Sequence, residues 1–290
     1  MPAQKTVLIT GCSPGGIGHA LALEFHAKGC RVFATGRNVD KLADLQAKGI
    51  ETFALDVTSD ASVKAAVAKV GELTGGTLDI LFNNARERFS YYAAATDVDI
   101  DEVRGVFETN LFGVMRMVRH FAPLLVAAKG KIVNVGSVSG IIPYAFGSPY
   151  NATKAALHSY GDTLRVEMAP FGVDVITVVT GGVTSNVSEN AVSRGKEVPE
   201  GSLYEPIADV ISRKRMNRSR AGAMPTAVYA RKVVATVLRR SPTWYWLGEL
   251  ALSTWFIATF LPRKTFDFFI SRAVGLNELT KLLRQRQKAQ

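Results

Sequence analysis

The sequence predicts an α/β fold: a doubly wound parallel sheet of about seven strands with helices on both faces and an apolar, basic C-terminal extension. Three observations predict it. Short apolar runs alternate with helical patterns over the first 180 residues, as βαβ units require. Several of those runs are apolar throughout, as strands covered on both faces must be. At 290 residues, 47% hydrophobic and 21% charged, the chain can bury one large core and is too apolar to stay disordered.

The elements follow in order. Residues 6–10, 31–35, 51–55, 78–83, 131–135 and 174–179 are the candidate strands. Residues 18–28 form the first crossover helix, where Ala20, Leu21 and Phe25 supply a helical repeat. No internal repeat or low-complexity block appears, so one domain is expected. Residues 1–240 form its main part, with a lid at about 186–226, and 241–290 form a strand and helix extension of the same domain. The lid rests on a weakening pattern that includes Pro199, Pro206 and Pro225. Residues 243–246 read as a last sheet strand. The apolar run 243–261, with Glu249 its one charge, is just long enough to span a bilayer, but Gly248, Glu249 and Ser253-Thr254 weaken that reading. The rest of it reads as an apolar helix that packs in the core, lines the pocket or lies on a membrane surface.

The net charge of +10 is uneven: residues 211–290 hold 16 Lys and Arg against three Asp and Glu, leaving −3 for the first 210. In the tail, Arg239, Arg240, Arg263, Lys264, Lys281, Arg284, Arg286 and Lys288 suit either an anionic lipid surface or a solvated face. Arg213-Lys214-Arg215, with Arg218 and Arg220, suits a substrate phosphate or an exposed basic helix. No nucleic-acid motif accompanies the charge, so nucleic acid is not an expected partner. Cys12 and Cys30 are too few for a disulfide framework, and the four histidines show no metal-ligand spacing. The start of the chain carries no secretory pattern, so an intracellular location is expected and three Asn-x-Ser/Thr matches are read as chance.

Thr10-Gly11-Cys12-Ser13-Pro14-Gly15-Gly16-Ile17-Gly18 joins the first strand to the first helix. Glycines let backbone approach a pyrophosphate, and the helix N-terminus offers free N–H groups. The second strand ends at Arg37, where an acid would bind the 2′-hydroxyl of NAD. An arginine forks onto a 2′-phosphate instead, with Ser13 placed to add a hydroxyl, so NADPH is the expected cofactor. Tyr150 and Lys154, four apart, share one helix face, so the ammonium favours the phenolate. Ser137 follows a buried strand and is placed to hydrogen-bond a substrate oxygen.

These residues resemble the short-chain dehydrogenase/reductase family over about residues 6–185. The turn resembles the family's Thr-Gly-x-x-x-Gly-x-Gly motif with one residue inserted. Asp56-Val57 resembles its adenine-contacting pair, and Asn83-Asn84-Ala85 its Asn-Asn-Ala-Gly motif. Asn110, Ser137, Tyr150 and Lys154 match its four catalytic positions in order and spacing. The resemblance implies a Rossmann-type sheet, hydride transfer to carbon with a proton from Tyr150, a nicotinamide ribose held by Lys154, and a water relay supported by Asn110. It also implies cofactor contacts from Gly11, Gly16, Ile17, Gly18, Asn83, Ala85, Val183 and Ser185, and dimers or tetramers.

Two departures stand out. Arg86 replaces a glycine and must swing away from the cofactor or else line the pocket and meet an anionic substrate group. Thr180 replaces a proline. The inserted turn, Tyr160-Gly161-Asp162-Thr163-Leu164-Arg165 and Thr180-Gly181-Gly182-Val183 resemble a fungal branch that includes NADPH-dependent 1-acyldihydroxyacetone-phosphate reductases. A lipophilic ketone, acylated dihydroxyacetone phosphate among the candidates, is the expected substrate. The rivals are a polyketide or terpenoid oxidoreductase of secondary metabolism and a non-catalytic cofactor-binding or membrane scaffold. The implied location is cytoplasmic or peripheral on endoplasmic reticulum or lipid-droplet membrane.

Overall fold

The computed structural model describes residues 4–87, 93–184, 198–218 and 222–289, with the side chains of 215–218 outside that description. The candidate strands are apolar on both sides because helices cover both faces of one sheet. Its strands are β1 (Thr6–Ile9), β2 (Arg31–Gly36), β3 (Glu51–Ala54), β4 (Ile80–Asn83), β5 (Lys131–Ser137) and β6 (Asp174–Thr180). Two short strands, β7 (Val183–Thr184) and β8 (Met224–Pro225), pair beside it, and β9 (Trp244–Leu247) completes it. The seven run parallel, as the sequence predicts, and their order is β3-β2-β1-β4-β5-β6-β9. The chain steps outward from β1 to β3, then returns to β4 on the other side of β1. That reversal opens a crevice at the C-terminal ends of β1 and β4, where such sheets bind ligands.

On one face, α1 (Ile17–Ala27), the short α2 (Ala43–Gln46) and, later in the chain, the 14-residue helix Thr226–Arg239 bury Leu21, Phe25, Leu45, Val233 and Val237 against the sheet. On the other face lie α3 (Asp60–Thr74), α5 (Gly113–Ala128) and α6 (Ser148–Met168), which bury Val63, Met117, Phe121 and Leu157. Each fully buried side chain of this size contributes about 1.5–3 kcal/mol. Helix α4 (Ile100–Phe107) leads into α5 through a π-helical turn at Glu108–Phe112. The continuous stretch Ile100–Ala128 is apolar and long enough to cross a membrane, but it packs under the sheet as a core helix.

The expected lid region carries more regular structure than its sequence pattern implied. A 3-10 turn at Glu205–Ile207 runs into α7 (Ala208–Arg218), followed by β8 and α8 (Thr226–Arg239). Helix α7 is polar, and Ile207 and Ile211, four apart, are its anchors, too short a stripe to read from periodicity. The extension supplies β9, then α9 (Ala251–Phe260), α10 (Lys264–Val274) and α11 (Leu276–Ala289). Helix α9 has ten residues, about 15 Å at 1.5 Å per residue, so the run from 243 to 261 does not span a bilayer as a helix. Helices α10 and α11 close a third cluster, in which Ile270, Val274 and Leu279 pack with Phe146, Ile207 and Ile211.

Candidate active site

The turn after β1 is built so that backbone, not side chains, faces the crevice. Gly11 has φ +73°, and a Cβ there would sit 2.8 Å from the Ala85 Cα. A Cβ on Gly18 would lie 2.5 Å from the Gly11 carbonyl oxygen, so only a glycine lets α1 start hard against the turn. Asn84 locks the arrangement: its Nδ2 donates to the carbonyls of Thr10 (2.8 Å) and Gly11 (3.0 Å). The N-terminus of α1 has neither a side-chain cap nor an acid in its first turn, so its N–H groups are available to an anion.

The cleft above this turn, about 480 Å³, is lined by Gly11, Ser13, Gly16 and Ile17, by Asp56 and Val57, and by Ala85, Arg86 and Glu87. Arg37 lines its outer end with its side chain 73% exposed, 3.9 Å from the Glu87 carboxylate. Lys41 lines the same end and does not stand out in the sequence. Its one signal is a second cation four residues after Arg37, carried round by the 3-10 turn Asp40–Leu42. Asp44 is held by His19 at 2.5 Å. A glycine cradle with no room for a Cβ, an uncapped helix N-terminus and two cations fit a dinucleotide with an additional phosphate.

The catalytic candidates converge at the end of β5 and the first turns of α6. Ser137 closes β5; its Oγ accepts from the Ser139 N–H at 3.1 Å, which leaves its own proton for another acceptor. Lys154 is 3% exposed, donates to the Val135 carbonyl at 2.8 Å and lies 5.7 Å from the centre of the Tyr150 ring. Burial alone would raise the Tyr150 pKa, but the charges of Lys154 and Arg86 and hydrogen bonds from Ser137 and Arg86 bring it below the usual phenol value. Burial, then the Arg86 charge, lowers Lys154, while Tyr150 pulls it back up.

Asn110 sits in the π-helical turn, where such irregularities mark functional positions. Its Oδ1 accepts from the Glu87 N–H at 2.9 Å, and its Nδ2 donates to Thr153 Oγ1 at 3.3 Å. Thr153 in turn donates to the Tyr150 carbonyl at 2.8 Å, so Asn110 ties the β4 exit to the catalytic helix. His158, one turn beyond Lys154, carries no motif that marks it in the sequence. Its Nε2 accepts the Ser137 N–H at 3.2 Å, and burial followed by the Lys154 charge holds it near pKa 4, neutral. Its ring packs on Trp244 with centroids 4.9 Å apart, so β9 supports the catalytic strand end.

The sequence profile of the short chain dehydrogenases matches residues 5–195. The chain belongs to that family. A short-chain dehydrogenase of Neurospora crassa is 43% identical over 96% of this chain and 94% of its own length. An NADPH-dependent 1-acyldihydroxyacetone phosphate reductase of Schizosaccharomyces pombe is 46% identical over 74% of this chain and 73% of its own. A solved short-chain dehydrogenase of Streptomyces avermitilis superposes with TM-score 0.73 at 28% identity, covering 98% of both chains. The protein is therefore an oxidoreductase, and its family uses nicotinamide dinucleotides.

Several residues assigned by resemblance also have partners within the fold. Asn83 is 3% exposed and donates to Asn134 Oδ1 at 2.9 Å inside the sheet; its neighbours Asn84 and Ala85 line the cleft. Strand side chains alternate in direction, so adjacent asparagines have different tasks. Gly18 lets the start of α1 pack against the Gly11 carbonyl and Asn84. Val183, in β7, lies against the α8 side of the core, and Ser185 falls outside the described residues. Arg86 does not swing away: it lines the cleft, and its charge helps lower the Tyr150 pKa. Lys214 bonds the Arg272 carbonyl at 3.0 Å and Glu278 at 3.2 Å, so it fastens α7 to α10 and α11 instead of facing a substrate phosphate. Thr180, in place of the family's proline, shares a 2.7 Å hydrogen bond with the buried hydroxyl of Tyr229 and pins α8 to β6.

Proposed function

We propose that this short-chain dehydrogenase reduces a lipophilic ketone with NADPH, and that 1-acyldihydroxyacetone phosphate is the first substrate to test. NADPH supplies the hydride when bound, and the two phosphate-facing cations Arg37 and Lys41 select it over NADH. Ser137 donates a hydrogen bond to the carbonyl oxygen, and the Tyr150 hydroxyl delivers the proton that completes the secondary alcohol. Buried beside the ring, the Lys154 ammonium stabilises the phenolate left on Tyr150. Asn110, through Thr153, holds the first turn of α6 in register with the cleft.

The observation that carries the substrate reading is Arg86. A guanidinium that lines the cleft, at a position the family fills with glycine, presents positive charge toward Tyr150 and lowers its pKa. A ketone bearing a nearby phosphate or carboxylate gains from that charge, and a neutral one does not. The activity for which the Schizosaccharomyces pombe relative is named uses a ketone of that kind.

A second reading is a neutral polycyclic or polyketide ketone, favoured by relatives named only as short-chain dehydrogenases that match almost the whole chain, including its extension. NADPH consumption against both ketone classes separates them. On the first reading, Arg86→Ala raises KM for the acyl phosphate about ten-fold or more, the loss of one charge-assisted contact, and leaves KM for neutral ketones unchanged, while the altered Tyr150 lowers kcat for both classes alike. Turnover of neutral polycyclic ketones alone, untouched by Arg86→Ala, overturns it.

A further inference from the structure

The extension buries one set of apolar residues and presents another to solvent. In α9 only Ala251 and Thr254 are buried, while Leu252 (69% exposed), Phe256 (51%) and Phe260 (61%) are open. In α10 the stripe Phe266, Ile270 and Val274 faces the core, so the adjacent Phe268 (63%) and Phe269 (56%) have no inner role. Trp255 and Phe256 both pack on Phe260, with centroids 5.8 and 5.2 Å apart, which makes the α9 surface a continuous aromatic ledge. Monomeric soluble domains rarely present so many large apolar side chains together unless something covers them.

Charge tells which occupant fits. No charged residue occurs from 250 to 262, whereas residues 263–289 hold seven Lys and Arg against two Asp and Glu. A second copy of the chain, docked two-fold on this face, would set the +2 of residues 250–274 against +2, with the +3 of α11 adjoining each. An anionic phospholipid surface meets both features, since aromatic side chains settle at the headgroup level and cations face acidic lipids. Helix α9, too short to span, is suited to lie in the interface.

We propose that the α9–α10 face seats the protein on an anionic phospholipid surface as a peripheral membrane enzyme. Beneath the seat, α10 and α11 pack through Ile270 and Leu279 onto Phe146, four residues before Tyr150, so the face sits over the segment that leads into the catalytic helix. Lipophilic substrate then reaches the cleft from the bilayer. This inference stands on the exposed face and does not depend on which ketone is reduced.

The test is co-sedimentation of the full-length protein with phosphatidylcholine vesicles, with and without phosphatidylserine. A Phe256→Ser/Phe260→Ser/Phe268→Ser/Phe269→Ser variant is run alongside; all four positions are exposed, and unchanged NADPH turnover of a small soluble ketone verifies its fold. If the quadruple variant fails to fold, Arg263→Glu/Lys264→Glu at exposed positions takes its place. The expected result is binding to serine-containing vesicles that weakens with salt and falls about ten-fold or more in the variant. Wild-type protein left in the supernatant with both vesicles overturns the proposal. So does equal vesicle binding by wild type and variant, or a wild-type dimer that the variant converts to monomer without a change in vesicle binding.

Discussion

Removing Arg37 separates its proposed role from that of an ordinary surface arginine. A charge-assisted contact to phosphate is worth about 1.5–3 kcal/mol when well shielded. The Arg37 side chain is 73% exposed, so solvent screening brings this to about 1–2 kcal/mol, a five- to thirty-fold weaker Kd for NADPH. Its ion pair with Glu87, at 3.9 Å between exposed groups, adds almost nothing to stability, so Arg37→Ala should fold normally. NADH lacks the phosphate and should bind both proteins alike. Because Lys41 lines the same end of the cleft, the single variant keeps a residual preference, and Arg37→Ala/Lys41→Ala loses a further factor of similar size. Fluorescence titration with each cofactor, repeated at high salt, reads all of this, and the preference for NADPH should shrink as salt rises. Equal losses for NADPH and NADH, or none for either, would refute the reasoning.

The remaining predictions concern stability. His158, held near pKa 4 in the folded protein by burial and then by the Lys154 charge, is expected near 6.5 when unfolded. The unfolded chain therefore binds more protons between these values, so the stability that neutral His158 allows is complete above about pH 6.5. It falls by up to about 3 kcal/mol as pH drops toward 4. Urea unfolding across this range should show the fall, and His158→Gln should flatten it; an equally steep profile in the variant would place the cause elsewhere. Thr180→Val strands the Tyr229 hydroxyl in the core and should cost about 1–3 kcal/mol, whereas Thr180→Val/Tyr229→Phe should cost much less than the sum of the two single changes. Additive losses in the urea midpoints would mean the pair contributes no coupling.

Much of the fold is legible in the sequence because its signals are local. Apolar runs such as 174–179 and 78–83 mark strands with two covered faces, and the glycine turn before α1 is a backbone requirement with few substitutes. Tyr150 and Lys154, four apart, share a face of any helix that contains them, whatever packs around it. What escapes a reading of the sequence is set by distant parts of the chain. His158 gains its role from the Ser137 N–H, 21 residues earlier, and Lys41 from a 3-10 turn that bends it back to the cleft. Asn83 and Asn84 look equivalent in sequence, and only pairing with Asn134 on β5 tells the sheet brace from the turn lock. Helix α7 is hidden because two anchors four apart give no periodicity; its packing comes from Phe146, Ile270 and Leu279, which lie far from it in the chain.

The central claim is proton delivery by Tyr150 in an NADPH-dependent ketone reduction. Its most direct test is NADPH consumption by wild-type protein and Tyr150→Phe, with the ketone that the wild type turns over best, alongside NADPH titrations of both. Near-equal NADPH affinity and a loss of at least about 10²-fold in kcat are expected for the phenylalanine variant. A variant that binds NADPH as the wild type does and still turns over at the wild-type rate would contradict the claim.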